Sequence, residues 1–185
     1  MKTNIIATDI TTLTDARYFA AWGVDYILYD LNHIGVNEIM AIVEWVEGVK
    51  TLVKMDKDNI HLIDEVLIRI NPHAVGSSQS ECQDRILQYV SEGPIFHDFP
   101  SEDNDVGKII IANVDNIDAQ TYQIEPESEV MVFAEINPSP VALNKFLEQN
   151  QNVGIILRGS SEVETGLKSF DNMDVLFELL EDQNN

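Results

Sequence analysis

The stretch ATDITTLTDARYFAAWGVDYILYD, residues 7–30, contains a helix between two strand candidates. Thr12 and Asp15 have the spacing of a capping box at a helix start, and Gly23 is a typical helix stop. The run YILYD that follows is rich in residues that favour strands. A strand, a helix and a second strand in this order indicate a parallel βαβ unit.

The same alternation continues along the rest of the chain, which predicts eight strands. The helices between them include an apolar stripe that ends at Gly48, whereas the composition of residues 98–108 (DFPSEDNDVGK) predicts a loop where a helix is expected. The strand candidates are Asn4–Thr8, Tyr26–Asp30, Thr51–Lys54, His73–Gly76, Pro94–His97, Lys108–Asn113, Val130–Ala134 and Val153–Arg158. The later helix candidates are Glu81–Val90, Pro140–Gln149 and Asn172–Leu180.

Eight strands, each followed by a helix or a shortened substitute, predict an α/β fold: a (β/α)8 TIM barrel with a parallel sheet. The chain has 185 residues, which is short for a barrel that usually has about 200 to 400 residues, so the loops must be trimmed. The alternative is an open doubly wound sheet. No linker-like segment interrupts the alternation, so we expect residues 1–185 to form a single domain.

Composition excludes several classes of function. The net charge of −21 comes from 32 acidic and 11 basic residues, which disfavours nucleic acid and acidic membranes as partners. No apolar run approaches the roughly 20 residues of a membrane span, and the start has no secretory signal, so we expect a cytoplasmic protein. Cys82 is the only cysteine, which excludes an internal disulfide and a cysteine zinc cluster. Nothing in the sequence indicates a cofactor.

Three motifs resemble those of phosphoribosylanthranilate isomerases. The first βα unit is similar to the family's K-I-C-G-I-T strand, x-L-x-D-A helix and G-A-D-x-x-G-F segment. Residues 160–173, SSEVETGLKSFDNM, resemble S-G-V-E-x-x-x-G-x-K-D, and residues 136–147, INPSPVALNKFL, resemble L-N-P-x-N-V. The matching positions are Ile10, Thr11, Leu13, Asp15, Ala16, Gly23, Asp25, Asn137, Pro138, Val141, Glu162, Gly166 and Lys168.

The resemblance implies an Amadori rearrangement of an aminoaldose phosphate to an aminoketose phosphate in tryptophan biosynthesis. In the family a cysteine thiolate on the first strand acts as base and an aspartate on the sixth strand acts as acid. Here Thr8 stands at the cysteine position, Asp9 at the following glycine, and Ala112 at the acid position, with Asn113 beside it. None of Thr8, Ala112 and Asn113 can carry the proton near neutral pH. The arginine expected after the second strand is also missing.

The resemblance also implies a phosphate site at the loops after strands 7 and 8. The loop after strand 8 keeps Arg158 as a cation, Gly159 for close approach, and Ser160 and Ser161 as donors at an expected helix start. An ordinary capped helix start would look the same. The family's glycine pair after strand 7 is replaced by Ala134 and Glu135, and the Glu135 carboxylate would oppose a phosphate.

Two classes of function remain open. In the first, a diverged barrel without isomerase activity binds a small phosphorylated or anionic metabolite, or a protein partner, as a monomer or homodimer. In the second, the isomerase has moved its acid and base to other strand ends, where Asp9, Asp98 and Glu135 are the candidates. We expect no metal, because the carboxylates near strand ends, including Asp30, have no diagnostic ligand spacing. Arg158 and Lys54 could pair with these carboxylates.

Overall fold

The computed structural model describes residues 3–89, 95–97, 109–112, 131–135, 139–150, 153–159, 162–164 and 167–184. Within these residues eight parallel strands run in chain order. They are β1 (Ile5–Thr8), β2 (Tyr26–Asp30), β3 (Lys50–Lys54), β4 (Ala74–Ser77), β5 (Ile95–His97), β6 (Ile109–Ala112), β7 (Met131–Glu135) and β8 (Val153–Arg158).

The eight strands close into a barrel. Each strand pairs in parallel with the next one along the chain, and β8 pairs with β1 through four consecutive residues, from Ile5↔Ile155 to Thr8↔Arg158. The predicted (β/α)8 barrel is confirmed, and the alternative of an open doubly wound sheet is wrong because an open sheet has no pairing between its first and last strands. Every predicted strand exists, and the boundaries that the structure describes differ from the predicted ones by at most one residue.

Helices connect the strands where the structure describes the connections. A single helical segment between β3 and β4 changes from 3-10 (Ile60–Leu62) to α (α3, Ile63–Glu65) to π geometry (Val66–Ile70). The loop predicted at residues 98–108 lies outside the described residues. The other helices are α1 (Leu13–Ala21), α2 (Val36–Val43), α4 (Ser80–Tyr89), α5 (Pro140–Gln149) and α6 (Asp171–Asn184).

The predicted capping box at the start of α1 is confirmed. The N–H of Asp15 donates to Thr12 Oγ1 at 3.2 Å, and the Thr12 hydroxyl donates to Asp15 Oδ2 at 2.9 Å. The carboxylate that closes this box is fully buried. The cap therefore fixes the start of α1 directly after the carboxyl end of β1, which is where a barrel carries its functional residues.

Side chains alternate between two apolar layers along the strands. The inner layer fills the barrel itself, and the outer layer packs between the sheet and the helices. On β2, for example, Leu28 belongs to the inner layer, while Ile27 and Tyr29 belong to the outer one. Among the side chains that the structure describes, the inner residues are Ile6, Tyr26, Leu28, Leu52, Ala74 and Ile156.

An aromatic cluster joins the first helix to the last. Trp22 at the end of α1 stacks on Phe177 of α6 with ring centroids 5.0 Å apart, and Phe19 meets the same ring edge-on at 6.0 Å. Tyr18 stacks on Phe170 and donates a hydrogen bond to Asp174 Oδ1 at 2.5 Å. The last helix, α6, thus packs on the first helix, α1, just as the last barrel strand, β8, pairs with the first strand, β1. No helix among the described residues is long and apolar enough to cross a membrane.

Candidate functional site

On β1, β2, β3 and β8, four polar residues belong to the inner register of the barrel at the carboxyl ends of their strands. Alternation from Ile6, Leu28, Leu52 and Ile156 puts the inner positions two residues further on. Register also pairs them, because Thr8 lies opposite Arg158 and Asp30 lies opposite Lys54. The four residues Thr8, Asp30, Lys54 and Arg158 therefore lie at the same end of the barrel.

Asp9 follows directly after β1 and pairs with Arg158. The strand ends at Thr8, and Asp9 has a φ of 59°, in the left-handed region that Asp tolerates better than most residues. Arg158 Nη1 donates to Asp9 Oδ2 at 2.9 Å. The candidate base and the candidate phosphate cation therefore contact each other.

The loop after β8 differs from the expectation. The Gly159 N–H donates to the Thr8 carbonyl oxygen at 2.8 Å, so this expected anion donor already has a partner within the chain. The helix start expected at Ser160 and Ser161 is wrong, because residues 162–164 form a strand. These two serines lie outside the described residues, and their role in phosphate binding stays a prediction. The strand, β9 (Glu162–Glu164), pairs antiparallel with β10 (Leu167–Lys168), and α6 begins only at Asp171.

This hairpin has a chemical consequence. The N-terminus of a small helix would bring several backbone N–H groups and a favourable dipole to a phosphate. A β-hairpin in its place brings no aligned dipole. Among the described residues of this loop no helix N-terminus faces an anion, and the Arg158 side chain supplies positive charge at this corner.

Two of the positions assigned from the sequence match lie at strand ends: Ala112 on β6 and Glu135 on β7. Glu135 is the last residue of β7, in register with the inner residue Ile156, so it belongs to the strand and not to the loop. Ala112 is in register with Ala134 and through it with Ile155, which belongs to the outer layer.

On β6 the inner register therefore contains Ile111. The acid position assigned by the sequence match to Ala112 thus lies one residue away from the inner register. Asn113 and Asp98 lie outside the described residues, so their roles stay predictions.

A second polar group, missed by the sequence interpretation, joins the loops after β2 and β3. Asn59 Nδ2 donates to Asn32 Oδ1 at 3.1 Å, and Asn59 Oδ1 accepts from the Asp56 N–H at 2.7 Å. The Asp58 N–H donates to Asp56 Oδ1 at 2.8 Å, and this bond lowers the pKa of the Asp56 carboxyl. The signal was present in the sequence as Asn and Asp residues that directly follow two predicted strands.

These bonds occupy the rim where the family arginine is expected. The loop after β2 carries Asn32 and His33 there, and Asn32 is held by its bond to the next loop. The next loop is tied in turn to the loop after β4, because the Lys57 N–H donates to Gln79 Oε1 at 3.1 Å. This part of the rim is a hydrogen-bonded surface of Asn and Asp residues, and the two loop segments 31–35 and 55–59 contain no arginine.

Among the described residues, no group of three or more His, Cys, Asp or Glu side chains is arranged to hold a metal ion. Cys82 is buried at the start of α4, where its Sγ lies 3.4 Å from Gln79 Oε1.

A cavity of about 500 Å³ lies at the opposite end of the barrel, where β1, β2 and β3 begin. Lys50 at its wall places Nζ 5.3 Å from the centroid of the Tyr26 ring. This cation–π contact and a bond from the Ile5 N–H to Asp25 Oδ2 at 2.9 Å hold the strand starts together. The cavity is separate from the polar strand ends described above.

Comparisons with known proteins find similarity in structure alone. No protein-family model and no curated protein matches the sequence. The structure is similar to phosphoribosyl anthranilate isomerase from Thermus thermophilus, with a TM-score of 0.69 and 15% identity over 97% of this chain and 99% of that one. It is similar to TrpF from Jonesia denitrificans (TM-score 0.70, 10% identity, 97% of each chain).

A barrel with a different printed activity also matches. The truncated 3-deoxy-D-arabino-heptulosonate 7-phosphate synthase from Thermotoga maritima has a TM-score of 0.63 and 11% identity over 99% of this chain and 86% of that one. Similarity at such low identity establishes fold and not activity. The chain is thus similar in fold, over nearly its whole length, to phosphoribosylanthranilate isomerases.

Proposed function

We propose that this chain is a phosphoribosylanthranilate isomerase-like barrel protein that lacks the family's Amadori isomerase activity and binds a small anionic or phosphorylated metabolite at the carboxyl ends of its strands. One observation carries the proposal. At the β1–β8 corner Thr8 lies in register with Arg158, and Arg158 is paired with the carboxylate of Asp9.

The base is missing from the position where the reaction needs it. A general base must lie within hydrogen-bond reach of the carbon-bound proton and must be able to accept it at working pH. Thr8 occupies the inner register at the end of β1, and a threonine hydroxyl is far too weak a base for this step. Asp9, the nearest carboxylate in sequence, already accepts a hydrogen bond from Arg158.

The acid is missing as well, whether Ala112 or a residue beside it is taken as the acid position. Ala112 has no proton to give, and neither of its neighbours in sequence, Ile111 and Asn113, is an acid. The loss of both proton carriers in one chain supports a role without this chemistry. It also supports the absence of tryptophan-pathway activity.

Binding of an anion is supported by the placement of two cations. The whole chain has only 11 basic residues against 32 acidic ones, yet Lys54 and Arg158 both belong to the inner register at strand ends. Guanidinium groups bind carboxylates and phosphates through paired hydrogen bonds. The Asp9 carboxylate on Arg158 is an example of such an anion from within the protein.

The second candidate function is an isomerase with relocated catalysts. Asp9, Asp98 or Glu135 would then carry protons from other strand ends. The engagement of Asp9 by Arg158 weighs against it, and the strand-end position of Glu135 on the inner register favours it. A protein partner, a monomeric or homodimeric state and a cytoplasmic location stay predictions.

Thermal unfolding in the presence of inorganic phosphate, ribose 5-phosphate and other sugar phosphates tests the binding part of the proposal. A ligand that binds only the folded state stabilises it by about 2.7 kcal/mol at 100 times its Kd, which raises the Tm of a chain this long by roughly 5–10 °C. We expect at least one ligand to raise the Tm of the wild type and not of Arg158→Gln. If no ligand shifts either protein, metabolite binding is wrong and a protein partner becomes the better hypothesis.

A further inference from the structure

The backbone conformation where β1 and β8 meet places the side chains of Asp9 and Arg158 next to each other. Asp9 stands at the position where the isomerase motif has glycine, and its φ of 59° is of the kind that glycine adopts without cost. The chain thus carries a carboxylate on a left-handed backbone position. The carboxylate reaches Arg158 across 149 residues of sequence.

The residues that follow Asp9 and Arg158 in the chain are held by burial and by a backbone hydrogen bond. Ile10, which follows Asp9, is 2% exposed and belongs to the outer apolar layer. Gly159, which follows Arg158, donates its N–H to the Thr8 carbonyl oxygen at 2.8 Å. The backbone therefore presents the Asp9 carboxylate to Arg158 in the absence of any ligand.

The pair nevertheless lies open to solvent. The Arg158 side chain is 57% exposed and that of Asp9 is 36% exposed. Ion pairs with this exposure contribute little to stability. A small anion from solution can therefore reach the guanidinium and displace the carboxylate.

We propose that Asp9 is an autoinhibitory internal anion that occupies Arg158, so that an external anion binds only to molecules in which this pair is open. The inference rests on the proposed anion binding and adds its regulation. When only a fraction of molecules is competent, the apparent Kd rises by the inverse of that fraction. The negative charge of Asp9 also repels a second anion after displacement, which adds to the effect.

Titration calorimetry with inorganic phosphate tests this inference. Asp9→Asn removes the negative charge and introduces a residue that also tolerates a left-handed backbone. Asp9→Gly removes the whole side chain, and glycine adopts this backbone conformation without cost. We expect both variants to bind phosphate roughly three- to tenfold more tightly than the wild type. The gain comes from the loss of the competing ion pair with Arg158 and of one negative charge that repels phosphate. Arg158→Gln should abolish the binding in either background.

Asp58→Asn is the matched control, because it removes one exposed carboxylate from the same end of the barrel without touching the pair. We expect it to leave the phosphate affinity close to that of the wild type. Equal tightening by Asp58→Asn and Asp9→Asn would show a general charge effect and overturn the inference.

The remaining outcomes separate the inference from the proposed function. Equal phosphate affinity in the wild type and both Asp9 variants, lost in Arg158→Gln, would overturn autoinhibition and leave anion binding intact. No binding in any of these proteins would overturn both. Binding that appears only in the Asp9 variants would support autoinhibition most strongly.

Discussion

At the residue scale, the closest backbone approach at the candidate site is at Gly159. A Cβ at this position would lie 3.0 Å from the Asp9 carbonyl oxygen, 3.3 Å from Ile10 Cδ1 and 3.4 Å from the Thr8 carbonyl oxygen. Two of these atoms are backbone and cannot swing away. The glycine is thus explained by strand packing, independently of any phosphate.

Gly159→Ala should therefore destabilise the fold by about 1–3 kcal/mol, the usual effect of forcing extra volume into a tight contact. The free energy of unfolding from urea titration measures it. Gly35→Ala is the control, because the added Cβ there meets only the flexible carboxylate of Glu38. If Gly159→Ala is no less stable than Gly35→Ala, the corner is looser than the contacts indicate.

Asp56 provides a prediction on pH. The Asp58 N–H holds the pKa of the Asp56 carboxyl below its usual value, so its contribution to stability is complete above the unfolded-state pKa of about 3.9 and is lost as pH falls through the lower folded-state pKa. Asp56→Asn should reduce the free energy of unfolding at neutral pH, by less than about 1 kcal/mol because the site is partly exposed.

The difference between Asp56→Asn and the wild type should shrink when urea unfolding is repeated in acid. Asp64→Asn, which changes the charge of an exposed helical carboxylate, is the control. A difference that stays constant from neutral pH to below the folded-state pKa would mean that the asparagine acts through shape and not through charge.

At the element scale, the packing of α6 on α1 holds the ends of the chain together. Phe177 is 2% exposed and contacts both Trp22 and Phe19. Phe177→Ala should cost about 3–5 kcal/mol, from lost burial and the cavity left behind. At roughly 2–4 °C of Tm per kcal/mol for a chain of this size, the Tm should fall by about 6–20 °C.

Val175→Ala on the same helix is the control for that variant. Val175 is 48% exposed, so its truncation should change the Tm by less than about 2 °C. Equal Tm values for Phe177→Ala and Val175→Ala would show that α6 does not brace the barrel.

Sequence patterns predicted the elements well where one signal dominates. The capping box of Thr12 and Asp15 and the apolar runs of the strands were sufficient, because caps and buried strands are local features. The loop after β8 was misinterpreted as a helix start. Its alternating residues around Val163, followed by Thr165 and Gly166, fit a hairpin equally well, and the resemblance to the isomerase motif favoured the wrong choice.

At the scale of the whole molecule, closure of the barrel creates the candidate site. Asp9 and Arg158 become neighbours only because β8 pairs with β1. The sequence allowed Arg158 to pair with some strand-end carboxylate but could not choose which. That choice depends on the left-handed turn at Asp9 and on the strand register, and neither can be derived from local sequence.

The register also limits what a motif match can assign. The sequence match put the acid position at Ala112, whereas pairing through Ala134 relates this residue to Ile155 of the outer layer. A shift of one residue on a strand exchanges its two faces. The sequence therefore shows that β6 carries no acidic residue, but it does not show which position of this strand would have to be acidic for the reaction.

The most direct test of the central claim is the rate at which the purified protein converts phosphoribosylanthranilate, measured beside an active isomerase of the family. One positioned proton carrier contributes about 10² to 10⁴ in rate. With both missing, we expect kcat/KM to be lower by roughly 10⁴ or more, allowing for groups that act together. A value of kcat/KM close to that of the active enzyme would contradict the account and point to Asp9, Asp98 or Glu135 as a relocated catalyst.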